Sequence, residues 1–250
     1  MPRHLAIIPA YNEESTVQSV IKGIAEHAPG FDVLVIDDGS TDATTERARA
    51  AGANVARLPF NLGIGGAVQT GYRYALANGY DYAVQIDGDG QHDPAQIVKL
   101  LDRIHGEPAA EMVYGTRFAD DNAGFQSTSL RRFGIKLFAW VLSVVTKQKV
   151  TDPTSGFRLC DRRAIALFAE NYPIDYPEVE AILLMHRHQL RSAEVPVEML
   201  ERGGGRSSIT MLRSGYYMTK VLLAVLIGLV RKPVSFEPGE QAPLSAGTGI

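Results

Sequence analysis

In the run VQIDGDGQHDP, Val84 to Pro94, an apolar segment ends in three aspartates, Asp87, Asp89 and Asp93. Asp87 and Asp89 are one residue apart, with Gly88 and Gly90 permitting a tight turn that aims both carboxylates into one space. Like charges so close repel unless something offsets them. A hard divalent cation, Mg2+ or Mn2+, does so, because it prefers oxygen ligands and takes the remainder from substrate phosphates. Gln91 can add a carbonyl oxygen, and His92 is a weaker candidate ligand. A cation held by so few protein groups points to a nucleotide whose diphosphate leaves. The bland alternative is a solvated acidic loop, and the lone Asp-x-Asp pair does not exclude it.

The surrounding elements decide between the two. HLAIIPA (residues 4–10), FDVLVID (31–37), ANVARL (53–58) and YDYAVQI (80–86) read as strands apolar along their whole length. Between them, residues 14–27 carry Val17, Val20, Ile21 and Ile24 at helical spacing. An Ala-rich segment that Thr41 or Asp42 would cap follows, and then a glycine turn entering a third helix at residues 61–80. Strand–helix alternation with unbroken apolar strands predicts an α/β fold with a mostly parallel sheet covered on both faces. Ligands of such sheets bind beyond the carboxyl ends of the strands. Tyr11-Asn12-Glu13, Asp37-Asp38 and Asp87-Gly88-Asp89 all fall there. Further on, a helix to about His105, a strand EMVYGTRF ending in Arg117, a polar loop at 120–129, a helix near 181–189 and an extended stretch SAEVPVEM are expected.

The 250 residues are 45% hydrophobic and 21% charged, an ordinary globular composition. Residues 1–125 hold 9 basic and 17 acidic residues, and residues 126–250 hold 16 and 11. An acidic metal-handling half and a basic anion-facing half fit that imbalance. The single cysteine, Cys160, excludes an internal disulfide framework and suits a reducing compartment. The first residues run directly into a strand pattern, so no secretory leader is expected. A dinucleotide-type oxidoreductase is disfavoured, because Gly63 and Gly65 are followed by Val68 where the fingerprint needs a third glycine.

Together IIPAYNE, VIDDGSTD, NLGIGGAVQTGY, IDGDGQHDP, GTRF and DPTSGFRL resemble family 2 glycosyltransferases of the GT-A fold, over about residues 4–160. The resemblance is closest to the polyprenyl-phosphate, dolichyl-phosphate mannose synthase-like branch. It implies an inverting enzyme that uses a nucleotide-diphosphate sugar and a divalent cation. It implies that Pro9, Tyr11, Glu13 and Asp38 hold base and ribose, and that Asp87, Asp89 and Gln91 hold metal and diphosphate. A phosphate acceptor needs positive groups rather than a base, and arginine forks match phosphate oxygens. The resemblance places such residues at Arg117, Arg131 and Arg202, with Arg132, Arg206 and Ser207 as weaker candidates. Asp152 and Arg158 flank the TSG turn and form either site groups or a structural pair. Glu178 or Glu180 would supply a base if the acceptor were a saccharide or other hydroxyl. A catalytically silent sugar-nucleotide-binding protein is the third reading.

Two apolar segments, near 131–146 and 211–232, have basic ends and fall short of the roughly 20 apolar residues that span a bilayer. They are expected either to lie in an anionic membrane surface, with Trp140, Tyr216 and Tyr217 as interfacial aromatics, or to pack against protein. The expected organisation is a catalytic domain over residues 1–210, a membrane-associating helix at 211–232 and a disordered tail at 233–250. Expected partners are the nucleotide sugar, a polyprenyl (undecaprenyl or dolichyl) phosphate, the inner face of the cell membrane, and a small membrane protein or a second copy. No nucleic acid is expected.

Overall fold

The computed structural model describes residues 1–117, 129–174 and 177–200, with 129–136 described as helix backbone. Among the described residues seven strands form one sheet: β1 (His4–Ala10), β2 (Phe31–Asp37), β3 (Asn54–Arg57), β4 (Tyr82–Gln85), β5 (Met112–Thr116), β6 (Arg158–Asp161) and β7 (Ser192–Pro196). Their order is β3-β2-β1-β4-β6-β5-β7. Every neighbouring pair is parallel except the two that involve β6, so the mostly parallel α/β expectation holds.

The helices are α1 (Val17–His27), α2 (Thr44–Ala50), α3 (Gly63–Ala77), α4 (Ile97–Ile104), α5 (Ser129–Thr146), α6 (Arg162–Glu170) and α7 (Pro177–Arg187). Successive side chains of a strand point to opposite faces. In β1, Leu5 and Ile7 therefore join a core with Val68 and Tyr72 of α3, Leu142 of α5, Phe168 of α6 and Ile182 of α7. Ala6 and Ile8 join a second core with Val20, Ile21 and Ile24 of α1 and Ile97 and Leu100 of α4. The stripe read at residues 17–24 is the buried face of α1. Burial of each such Ile or Leu contributes about 1.5–3 kcal/mol. β1 is apolar from Leu5 to Ala10 because both of its faces are covered there.

The chain leaves β1 toward β2 and β3, then crosses back through α3 to place β4 on the other side of β1. That reversal opens a crevice at the carboxyl ends of β1 and β4, the position where open α/β sheets bind ligands. β6 and α6 were not among the expected elements. β6 reverses the strand direction and puts Arg158 between Gln85 and Tyr114 in register.

α5 begins two residues before the apolar helix expected at 131–146. Phe138, Ala139 and Leu142 are buried, whereas Trp140 and Val144 are 65% and 60% exposed. The helix thus packs on the core and keeps an apolar ridge outward. Among the described residues no helix is long and apolar enough to cross a membrane. Residues 201–250, with Arg202, Arg206, Ser207, the expected helix at 211–232 and the tail at 233–250, lie outside the described residues. So do residues 118–128, which hold the polar loop expected at 120–129 except Ser129, the first residue of α5, and the side chains of Arg131 and Arg132.

Candidate active site

The loops that follow β1 and β2 are fastened to each other. The Asn12 amide donates to Ser40 Oγ at 2.9 Å, and its side-chain Oδ1 accepts from Thr41 N at 2.9 Å. The Glu13 amide donates to Thr44 Oγ1, and Glu14 Oε2 accepts from Ala43 N. Asn12 has φ +56, a conformation asparagine tolerates better than most residues. Asp42 serves the start of α2 as expected, its Oδ1 accepting from Thr44 N at 3.0 Å, although the cap position itself is Ala43. Thr41 is instead tied to Asn12.

Asp37 and Asp38 divide their work. Asp37 is wholly buried and serves the turn, accepting from Ser40 N at 2.8 Å and from the Thr45 hydroxyl, with Arg57 Nε at 3.7 Å. Asp38 accepts from Leu62 N at 2.7 Å and Gly63 N at 2.9 Å, joining β2 to the start of α3. Burial pushes the Asp38 carboxyl above its ordinary pKa, opposed by those two N–H groups. Tyr11 is not a core aromatic: its ring stands exposed at the end of β1. Pro9 is buried within β1, opposite Ile36.

The acidic turn lies next to these loops. Beyond β4, Ile86 N donates to Ile7 O at 3.1 Å and Gly88 N to Pro9 O at 3.3 Å, so the turn runs alongside the end of β1. Gly90, at φ +77, completes the reversal in the left-handed region that favours glycine. Asp89 Oδ1 accepts from Gln91 N at 3.0 Å. Asp93 has a different task from the other two: it caps the short turn Pro94–Gln96 through Ala95 N. The far side of the turn is pinned by Leu200 N donating to Gln91 O at 2.9 Å and by a bridge between His92 and Met199.

His92 is buried against Phe157, ring centroids 5.1 Å apart and 17° from parallel. Its Nδ1 accepts from the Asp87 amide at 3.0 Å. That nitrogen is therefore closed to a metal, and His92 is an internal support of the turn. Among the described residues no three His, Cys, Asp or Glu side chains gather around one metal-sized point. Asp87, Asp89 and Gln91 offer oxygen donors only, and few of them. Such a set fits a hard cation whose coordination is completed by phosphate oxygens.

On the other side of β4 sits a layer of charge the sequence only partly disclosed. Arg117 donates to Asp152 through Nε at 2.7 Å and Nη2 at 2.9 Å, and through Nη2 to Thr154 Oγ1 at 2.7 Å. Asp152 is wholly buried. Of the two readings of Asp152 and Arg158, the structural pair across the TSG turn is not formed: the partner of Asp152 is Arg117. Arg158, fully buried, donates to Ser155 O at 2.9 Å, Pro177 O at 3.4 Å and Glu178 O at 2.5 Å. It thereby ties β6 to the first turn of α7. The Asp152 loop is also held by Glu194 of β7, which accepts from Thr151 N at 2.6 Å and Asp152 N at 3.1 Å. The Glu178 carboxyl is pushed up by burial and pulled down by Arg158, with Asp87 near enough to add to the rise.

The carboxyl edge thus brings together Pro9, Tyr11, Glu13, Asp38, Asp87, Asp89 and Gln91. Arg117 belongs to the neighbouring charged layer. Glu194 and Gln85 escaped the sequence reading. The signal for each was a polar residue inside an otherwise apolar strand.

A family model described as "Glycosyl transferase family 2" matches residues 5–168. An undecaprenyl-phosphate mannosyltransferase of Micrococcus luteus is 31% identical over 220 residues, 83% of this chain and 88% of that protein. A UDP-N-acetylglucosamine–dolichyl-phosphate N-acetylglucosaminyltransferase of Methanococcus voltae is 27% identical over 244 residues, 90% and 96% of the two chains. Among solved structures, glucosyl-3-phosphoglycerate synthase from Mycobacterium tuberculosis, in complex with Mn2+, UDP and phosphoglyceric acid, superposes with TM-score 0.68 at 22% identity. The match covers 94% of this chain and 80% of that one, and the two share a fold.

Proposed function

Since the chain belongs to glycosyl transferase family 2 and is a nucleotide-sugar-dependent glycosyltransferase, we propose that it transfers a hexose or N-acetylhexosamine to a polyprenyl phosphate at the cytoplasmic membrane face, with inversion and with Mg2+ or Mn2+. The observation that carries this reading is the oxygen-only turn Asp87–Gln91 at the sheet's switch point, beside Asp38 and an exposed Tyr11. Asp87, Asp89 and Gln91 would hold the cation, which when bound neutralises the departing diphosphate. The Tyr11 ring offers a flat face for the base, and the loops after β1 and β2, locked together, present it rigidly. The acceptor phosphate is already anionic, so its attack requires no base; it requires positive charge to place it. Arg117, Arg131 and Arg202 are the groups assigned to that placement, with Arg132, Arg206 and Ser207 as weaker candidates. The relatives that act on undecaprenyl or dolichyl phosphate support this acceptor class. The outward Trp140–Val144 ridge of α5, followed by Lys147 and Lys149, supports contact with an anionic membrane surface.

One observation favours the second reading, transfer to a hydroxyl. Glu178 is an acid with a raised pKa close to the acidic turn, the property a general base needs. Labelled UDP- and GDP-sugars incubated with short-chain polyprenyl phosphate, with and without Mg2+ or Mn2+, test the proposal. Lipid-linked label that requires metal, is lost in Asp89→Asn and persists in Glu178→Gln is expected. A fully active, metal-independent Asp89→Asn enzyme refutes the metal assignment. Transfer to saccharides that is lost in Glu178→Gln moves the assignment to the second reading.

A further inference from the structure

Asp87 is the group on which the acidic turn depends, and its surroundings are more constructed than those of Asp89. Its side chain is 35% exposed and faces the crevice. The residues that flank it are buried, Gln85 at 2% and His92 at 3% exposure. Gln85, the last residue of β4, stands two residues before Asp87, with its Nε2 3.4 Å from Asp87 Oδ1. The Gln85 amide is itself oriented: Tyr172 donates its hydroxyl to Gln85 Oε1 at 3.4 Å. Tyr172 is wedged between Tyr72 and Phe168, ring centroids 5.5 and 5.2 Å away, so its hydroxyl is not free to wander. On the opposite side, His92 Nδ1 accepts from the Asp87 amide. His92 therefore holds the Asp87 main chain, while its Nε2, 3.7 Å from Asp87 Oδ2, lies beyond hydrogen-bond reach.

Building on the metal reading above, we infer that Gln85 and His92 are positioning residues for the cation site, a two-sided cradle in which His92 Nδ1 fixes the Asp87 backbone and Gln85 presents an N–H to Asp87 Oδ1. Tyr172 acts one step further back by fixing the Gln85 amide. The backbone contact to His92 is an ordinary 3.0 Å hydrogen bond, and the Gln85 contact is a long one at 3.4 Å. Their part is to bias the carboxylate to one rotamer before the cation arrives, so that little ordering remains for the binding step. Outer groups of this kind change metal affinity by roughly 10–100-fold when removed. The cradle also accounts for two buried polar side chains, Gln85 and Tyr172, which no turn or helix cap requires.

The test is Mn2+ binding followed by EPR, alone and with uridine or guanosine diphosphate, in wild type, Gln85→Met, His92→Phe and Tyr172→Phe. The thermal midpoint of the metal-free protein serves as the folding control. Roughly 10-fold or greater weakening is expected for Gln85→Met and His92→Phe, with a smaller loss for Tyr172→Phe and a changed Mn2+ line shape in all three. A purely structural role would move the thermal midpoint and leave the affinity of the folded fraction unaltered, which overturns the inference. Tyr172→Phe keeps the ring packing, so it decides the matter should the other two fail to fold: wild-type affinity and line shape there overturn the relay. Absence of Mn2+ binding in wild type under every condition overturns the metal reading itself, whereas normal wild-type binding with indifferent variants overturns the cradle alone.

Discussion

Gly156 forms the third wall around Asp87, and replacing it with alanine separates the architecture of the fold from that of the site. A Cβ at this position would lie 3.2 Å from Asp87 Oδ2, 3.2 Å from Gln85 Nε2 and 3.4 Å from Asp87 Oδ1. The backbone φ of Gly156 is outside the left-handed region, so alanine introduces no main-chain strain. All three close atoms are side-chain atoms, and the Asp87 carboxylate has the open crevice to retreat into. The added methyl is therefore accommodated by moving the carboxylate a few tenths of an ångström. Metal–ligand distances tolerate only about 0.2 Å. The displacement is thus small for the fold and large for the cation.

Stability should accordingly stay within about 1 kcal/mol of wild type, with the reduced freedom of the unfolded chain offsetting the tight contact. The apparent affinity for Mn2+ should fall roughly tenfold, at the lower end of the range for disturbed outer groups. The assay is sugar transfer titrated with Mn2+, run beside urea unfolding of the metal-free protein. The expected signature is a raised half-saturating Mn2+ concentration with a smaller change in kcat at saturating metal. A Gly156→Ala enzyme with the wild-type Mn2+ titration would refute the claim that Asp87 must be held in one orientation. A loss of several kcal/mol would refute the premise that the new methyl meets only side chains free to yield.

Asp152→Ala should cost about 3–5 kcal/mol in urea unfolding, because it leaves the Arg117 guanidinium partly buried without its bidentate partner; adding Arg117→Met should recover part of that loss in a double-mutant cycle. Asp161 caps α6 through Ala164 N at 2.9 Å, and burial raises its pKa to about 6. The folded state therefore keeps a proton that the unfolded chain releases, and this group makes stability fall as pH rises from about 4 to 6. Asp161→Asn retains a competent cap, so its advantage over wild type should grow across that window to about 1–2 kcal/mol after solvent screening, read from unfolding midpoints at pH 4 and pH 7. Trp140→Glu should reduce cosedimentation with anionic vesicles while leaving the unfolding midpoint close to wild type, since the ring is mostly exposed; unchanged sedimentation would count against α5 as a membrane contact.

Which features were legible in the sequence follows from how far each one reaches along the chain. β1, β2 and α1 announce themselves because burial on two faces imposes unbroken apolar runs on Leu5–Ile8 and Val33–Ile36, and burial of one stripe imposes a helical period on Val17–Ile24. The acidic turn is equally local: Asp87, Gly88, Asp89, Gly90 and Gln91 are contiguous, and a charge cluster at the end of an apolar run is visible without knowing what lies opposite. β6 was missed because four residues, one of them a buried arginine, carry no period to read. Arg158 is stable there only because carbonyls of Ser155, Pro177 and Glu178 converge on it, and two of those three belong to a helix nineteen and twenty residues away.

The partner of Asp152 is likewise distant in the chain. Arg158 is its neighbour in sequence, but Arg117, thirty-five residues earlier, is its neighbour across the sheet edge. The groups that tune Asp87 are dispersed further still, with Gln85 on β4, Gly156 before β6 and Tyr172 after α6. A ligand set written contiguously in the chain can be recognised from its spelling. The set that orients it is assembled by tertiary packing, so each member reads alone as an ordinary polar or small residue inside the core. The functional content of Gln85, Gly156 and Tyr172 resides in their convergence on one carboxylate, and the Mn2+ titrations of their variants measure that convergence directly.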